Sequence, residues 1–153
     1  MHDARLAELG ITLPGPFPPH DPLDAVVVHG GTARTSGCLP RDEGGNVRTG
    51  LLGRDVTPAA GAESAELCAL NAVSLLCSAL GSLDRIERVL TMTVFIACTD
   101  DFVEQPAVAD GASQVLDKIF AAAGRHTRLA IGVAALPRGA SVEVELTVAI
   151  KEA

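Results

Sequence analysis

Apolar residues along this chain fall into two periods, and the points where the period changes divide it into elements. Ala25-Val26-Val27-Val28-His29 is a β-branched run that leads into Gly30-Gly31. A Gly pair between strand-like runs signals a hairpin, which places strands at about 24–29 and 32–37. A polar, Gly-rich loop through Gly45 follows, and then a short strand near 46–49. Beyond it the period lengthens: Ala69, Val73, Leu76 and Leu80 recur at helical spacing, and Leu67, Leu70 and Cys77 widen the stripe. Thr57 as N-cap, Pro58 at the first helical position and Gly81 as terminator bound a helix over 58–80. A stripe that wide suits a helix lying on a sheet and touching a neighbour.

Ile86 to Cys98 is rich in β-branched residues and apolar on both parities near its end, the pattern of a central strand covered on both faces. A second helix, about 107–122, follows Pro106. Val108, Val115, Leu116, Ile119 and Phe120 supply its apolar face, and Gly111 weakens its first half. Alternation then returns. Thr127, Leu129, Ile131 and Val133 point one way, and Arg128, Ala130 and Gly132 the other. A lone guanidinium beside Ala and Gly leaves room for something small and anionic. In the last strand Val142, Val144, Leu146 and Val148 form an apolar face, and Glu143, Glu145 and Thr147 a polar one. Leu136-Pro137-Arg138-Gly139 between the two reads as a turn or crossover, and the local sequence alone suggests a hairpin. The order ββ(β)αβαββ describes one α+β domain over 24–153. An arm, residues 1–23, precedes it, with a short helix near 3–10 and a Pro-rich extended stretch.

Composition narrows the chemistry. The 153 residues fit one domain, and the core must be built from Leu, Val, Ile and Ala, since there are four Phe, no Tyr and no Trp. A net charge of −7 argues against sequence-independent nucleic-acid binding, which needs Lys and Arg on phosphates. An anionic substrate needs a local cationic pocket instead. Cys38, Cys68, Cys77 and Cys98 form no Cys-x-x-Cys pair and have no His at ligand spacing, so buried thiols in a reducing cytoplasm are expected, with no metal. The N-terminus has no apolar leader core, and no eighteen uncharged apolar residues run together, so no membrane association is expected.

The run from Gly124 to Val148, above all Arg128, Val133-Ala134-Ala135-Leu136-Pro137 and Val142-Glu143-Val144-Glu145, resembles the signature of the YjgF/Rid family, the RidA-like imine deaminases. Thr35-Ser36-Gly37 with Leu39-Pro40, Ala79-Leu80-Gly81-Ser82-Leu83-Asp84, and Thr93-Val94-Phe95-Ile96 before Asp101-Phe102 are similar to its other motifs, in collinear order over about 24–150. The resemblance implies a chorismate-mutase-like mixed sheet with two helices on one face. It implies a homotrimer with a central barrel and active clefts between subunits. In such a fold the last strand inserts between earlier ones, and 136–140 is a crossover.

The resemblance further implies that Arg128 holds a substrate carboxylate, that Glu143 orients the attacking water, and that Ser36 and Gly37 line the same cleft. Ala130 occupies the position where the family has a cysteine. No metal or cofactor is called for: a guanidinium can clamp the carboxylate of a 2-imino acid bidentately while a carboxylate directs water at the C=N carbon. The implied activity is hydrolysis of a small carboxylate-bearing imine to a keto acid and ammonia. The alternative is a trimeric small-anion-binding or regulatory protein without turnover. Two departures from the family pattern support that alternative, the missing tyrosine in the N-terminal segment and the missing Asn after Asp101-Phe102. Residues 105–113 are also a turn or two longer than usual.

Plainer readings stand beside these. Arg128 can be a structural ion pair with Glu143 or Glu145, and the two glutamates the solvated face of an edge strand. Ser36 can cap the hairpin. His126, on the same strand face as Arg128, is a candidate acid, base or donor in the cleft, or a satisfied surface histidine.

Overall fold

A computed structural model describes residues 1–152. The helices are α1 (His2–Glu8), α2 (Pro58–Leu80) and α3 (Gln105–Phe120), and the strands are β1 (Val26–His29), β2 (Thr32–Thr35), β3 (Ile86–Ala97), β4 (Thr127–Val133) and β5 (Val142–Ile150). The five strands form one mixed sheet in the order β1-β2-β5-β3-β4. β4 runs parallel to β3, with α3 as the crossover such a pair requires, and β5 runs antiparallel to both β2 and β3.

The hairpin suggested by local sequence is therefore absent, and the inserted strand is present. β4 lies on one side of β3 and β5 on the other, so residues 134–141 must cross the end of β3. The twelve-residue β3 can hold two neighbours because its Val89, Met92, Val94 and Ile96 are buried. They meet Val142, Val144, Leu146 and Val148 of β5 and the inner faces of α2 and α3 in one core. β5 is a central strand, so its glutamates do not sit on an edge.

The ends of α2 follow their sequence signals, whereas α3 starts at Gln105 and ends at Phe120, with 121–124 forming a separate 3-10 turn. Thr57 Oγ1 accepts from Ala60 N at 3.1 Å, and Gly81 ends α2 in the left-handed region at φ +83°. By length and composition α2 would suffice to cross a membrane, but its apolar side chains are spent on the core. Gly111 has a different role from the one its helix propensity suggests. A Cβ placed there would lie 2.0 Å from the carbonyl oxygen of Ala62, so its bare backbone lets α3 close onto α2.

Three further departures are local. Residues 46–49 form only isolated bridges, Arg41 with Val47 and Thr49 with Ala140. β2 stops at Thr35 and not at 37. The N-terminal helix packs on the domain as a third helix: Arg5 Nε donates to the Lys118 carbonyl, and His2 meets Phe120 edge-on with ring centroids 4.9 Å apart.

Candidate functional site

The reason β2 stops early is also what builds the site. Arg34 stands opposite Thr147 and Cys38 opposite Val144, so three residues on one strand face two on the other. The extra residue makes a β-bulge, which turns the chain out of the ladder at Ser36-Gly37. Ser36 is tied down on both sides, its N–H donating to the Ala25 carbonyl at 2.8 Å and its Oγ to the Asp24 carbonyl at 2.6 Å. Gly37 then passes directly over the Glu143 side chain. A Cβ at this position would lie 2.7 Å from Oε2 of Glu143, so a larger residue would push the carboxylate aside.

Glu143 projects into a cavity of about 590 Å³. Among the described residues its carboxylate has no hydrogen-bond or ion-pair partner. Burial raises its pKa above the ordinary carboxylate range, and the negative charge of Glu145 adds to the effect. Glu145 itself is engaged by Arg34 at 3.1 Å on the exposed face. Two cations, Arg41 and Arg138, also line the cavity. So does Cys38, whose thiol is pushed up to about 12 by burial and by Glu143, which leaves it without thiolate character at neutral pH. Phe17 and His20 of the N-terminal arm also border the cavity.

Arg128 lies elsewhere. Its neighbour on β3 is Met92, a core residue, so its side chain leaves the sheet on the helix side, whereas Glu143 is paired with Phe95 and leaves on the other. Two strand spacings of ~4.8 Å and three residues of ~3.3 Å rise put their Cα atoms roughly 14 Å apart in one chain. Arg128 Nη1 pairs with Asp110 at 2.9 Å and donates to Ser113 Oγ at 3.1 Å, both on α3. The structural partner is thus Asp110, and neither glutamate. Ser113 Oγ also lies 3.0 Å from His126 Nε2, and His126 Nδ1 donates to the Gly124 carbonyl at 2.6 Å. These two contacts hold the imidazole in place beside Arg128.

Gly37 and Glu143 therefore meet in one cavity, with Ser36 anchoring the turn beside it. Arg128 and His126 meet in a second cluster, and Ala130 faces α3 with Arg128, on the same strand parity. The room expected beside Arg128 is taken: Pro106, Asp110 and Ser113 approach the guanidinium, and a Cβ on Gly132 would lie 2.8 Å from Cys98 Sγ.

Sequence reasoning missed Asp110, Ser113 and Asn71. The first two sit in the lengthened 105–113 segment, and that length was their signal. Asn71 is a polar residue inside the apolar stripe of α2. Its Nδ2 donates to the carbonyls of Arg41 at 2.9 Å and Leu67 at 3.0 Å, and so pins the loop that carries Arg41 over the cavity.

The chain matches the family model described as "YjgF/chorismate mutase-like, putative endoribonuclease" over residues 3–149. It is 42% identical over 146 residues to Protein TCP17 of Trypanosoma cruzi, covering 95% of this chain and 91% of that protein. The crystal structure of Atu1372 from Agrobacterium tumefaciens superposes with a TM-score of 0.89 at 39% identity, over 99% of this chain and 94% of that one. E. coli TdcF with bound serine superposes with a TM-score of 0.60 at 25% identity, over 88% and 92%.

Proposed function

The chain belongs to the YjgF/chorismate-mutase-like family, and on that premise we propose that it is a cofactor-independent imine deaminase whose cleft forms between two copies. It hydrolyses a carboxylate-bearing imine to a keto acid and ammonia. The observation that carries this reading is Glu143, a half-buried carboxylate without a partner among the described residues, with Gly37 against it, in a cavity of about 590 Å³. Its raised pKa suits a group that takes and returns a proton.

The steps balance without a further reactant. Glu143 takes a proton from water as the water oxygen bonds to the C=N carbon, and passes it to nitrogen to give a carbinolamine. The hydroxyl proton then moves through Glu143 to the same nitrogen as the C=O bond forms, the C–N bond breaks, and ammonia leaves. Arg128 clamps the substrate carboxylate, for which it must exchange Asp110, a half-exposed partner. Since one chain holds Arg128 and Glu143 on opposite faces of its sheet, a small imine reaches both only when they come from different copies. The outer sheet face has the surface for such an assembly: Leu129 is 60% and Ile131 38% exposed, in a cyclic homotrimer the contact region. The four free thiols fit a reducing, cytoplasmic setting. Serine, bound in the TdcF structure, is itself a small α-amino carboxylate, which supports a ligand of that class.

The test is the decay of a freshly generated 2-imino acid, with ammonia release, in wild type, Arg128→Ala and Glu143→Gln. Acceleration by wild type alone is expected, and equal decay in all three removes the proposal. One observation favours a second reading, a binder without turnover: Arg128 is already neutralised by Asp110. That protein would bind a carboxylate saturably, lose binding in Arg128→Ala, and release no ammonia.

A further inference from the structure

The cavity that Glu143 lines has a mixed wall. Gly37 lies against the carboxylate, Arg41 and Arg138 supply positive charge, and Phe17, Pro18, Leu23, Leu39 and Leu75 supply apolar surface. The Phe17 part of that surface is braced. The Phe17 ring rests on the backbone of Gly45, where a Cβ would come within 3.5 Å of Cε1, and the Arg41 guanidinium lies 6.0 Å from its centroid. Arg41 is itself held, by the Gly45 carbonyl at 3.0 Å, while its own carbonyl is held by Asn71. A wall fixed from two sides is formed before any ligand arrives, so seating an apolar group against it costs little ordering.

Size points the same way. A cavity of about 590 Å³ lies in the middle of the ~300–1,000 Å³ range of sites that enclose drug-sized ligands. The imine of pyruvate would leave the apolar walls facing water. We propose that the substrate carries a bulky apolar side chain of phenyl size beside the imine carbon, seated on Phe17, Leu39 and Leu75 while the reacting end faces Glu143. This rests on the imine-deaminase reading for its chemistry, and on the cavity alone for the size and polarity of the side chain. Phe17 is then a specificity-determining residue, in the arm segment where the family's tyrosine is missing.

The experiment measures calorimetric binding of pyruvate and phenylpyruvate to the full-length protein, wild type and Phe17→Ala, together with turnover of imines freshly generated from alanine and phenylalanine. Phenylpyruvate is expected to bind about tenfold or more tighter than pyruvate, with Phe17→Ala removing most of that ratio. Phe17→Leu, which keeps an apolar contact, should give an intermediate ratio even if the alanine variant folds poorly. Equal binding of the two acids, binding of neither, or an equal loss of both in Phe17→Ala overturns the proposal. A phenylpyruvate preference without turnover of either imine would remove the deaminase and leave the apolar subsite standing. Turnover that favours the alanine-derived imine would do the reverse.

Discussion

Replacing Gly111 by alanine sets two effects against each other, and the helix crossing decides between them. In an exposed helix the change would stabilise by about 1 kcal/mol, because alanine is the better helix former. Here the new Cβ would sit 2.0 Å from the Ala62 carbonyl oxygen and 2.6 Å from its carbon, where ordinary contact begins at 3.4 Å. Both are backbone atoms, so no side chain can rotate away, and α2 and α3 must separate. Overpacking of that kind costs about 1–3 kcal/mol, and more where the backbone has to move. With the propensity gain subtracted, overpacking alone leaves a net loss of up to roughly 2 kcal/mol, to which the backbone shift adds, at about 2–4 °C in Tm per kcal/mol for a chain of this size.

Gly61→Ala is the internal control for that reasoning. Its Cβ would meet Leu52 Cδ1 at 2.7 Å and the Val108 methyls at 3.2 and 3.3 Å, all ends of side chains that can shift, so its loss should be the smaller. Thermal and urea unfolding at one fixed protein concentration measures both, since self-association would otherwise enter the stability. A Tm for Gly111→Ala equal to or above wild type would refute the close crossing. The same shift has a functional reading, because Asp110 and Ser113 flank Gly111 and hold Arg128.

Other expectations follow from the site. The Glu143 pKa is raised in the folded chain, so between the unfolded and folded values the native state holds more protons, and stability falls as pH rises through that window. Glu143→Gln should therefore be more stable than wild type at neutral pH, with the gap closing below the ordinary carboxylate range; a gap that widens on acidification contradicts the raised value. Asp110→Asn frees Arg128 from a half-exposed competitor, and carboxylate binding should tighten by roughly 2–5-fold, the scale of an exposed ion pair. Weaker binding in that variant would make Asp110 a positioning partner of Arg128 instead. Cys38, with its pKa near 12, should resist alkylation at pH 8 in the native protein and react only on unfolding.

Much of the fold was legible because strong local signals agreed with the tertiary arrangement. Thr57-Pro58 and Gly81 bound α2 as local chemistry demands, and the two-parity apolar run of β3 marks the sheet centre. Strand order was not legible locally, since β4 and β5 alternate cleanly enough to pair with each other. Only the resemblance to a known family separated them. The role of Gly111 was hidden for a related reason: propensity describes one helix, and the close approach of Ala62 belongs to two.

For the site, residue identity was readable and geometry was not. Alternation within each strand correctly sets Arg128, Ala130 and Gly132 on one face of β4, and Glu143 and Glu145 on one face of β5. Whether those faces coincide depends on register across β3, which no single strand encodes. The partner of Arg128 came from the lengthened 105–113 segment, so an insertion beside a motif was a better guide than the nearest carboxylates in sequence.

Joint action of Arg128 and Glu143 across a contact between copies predicts that activity returns when Arg128→Ala and Glu143→Gln are co-refolded in equal amounts, since each variant alone lacks one half of every cleft. In a cyclic trimer with random assembly about one quarter of the clefts regain an intact pair, so the mixture should recover roughly a quarter of the wild-type imine-hydrolysis rate. A mixture as inactive as its two components, from subunits shown to have exchanged, would place both residues' work within one chain and contradict the account.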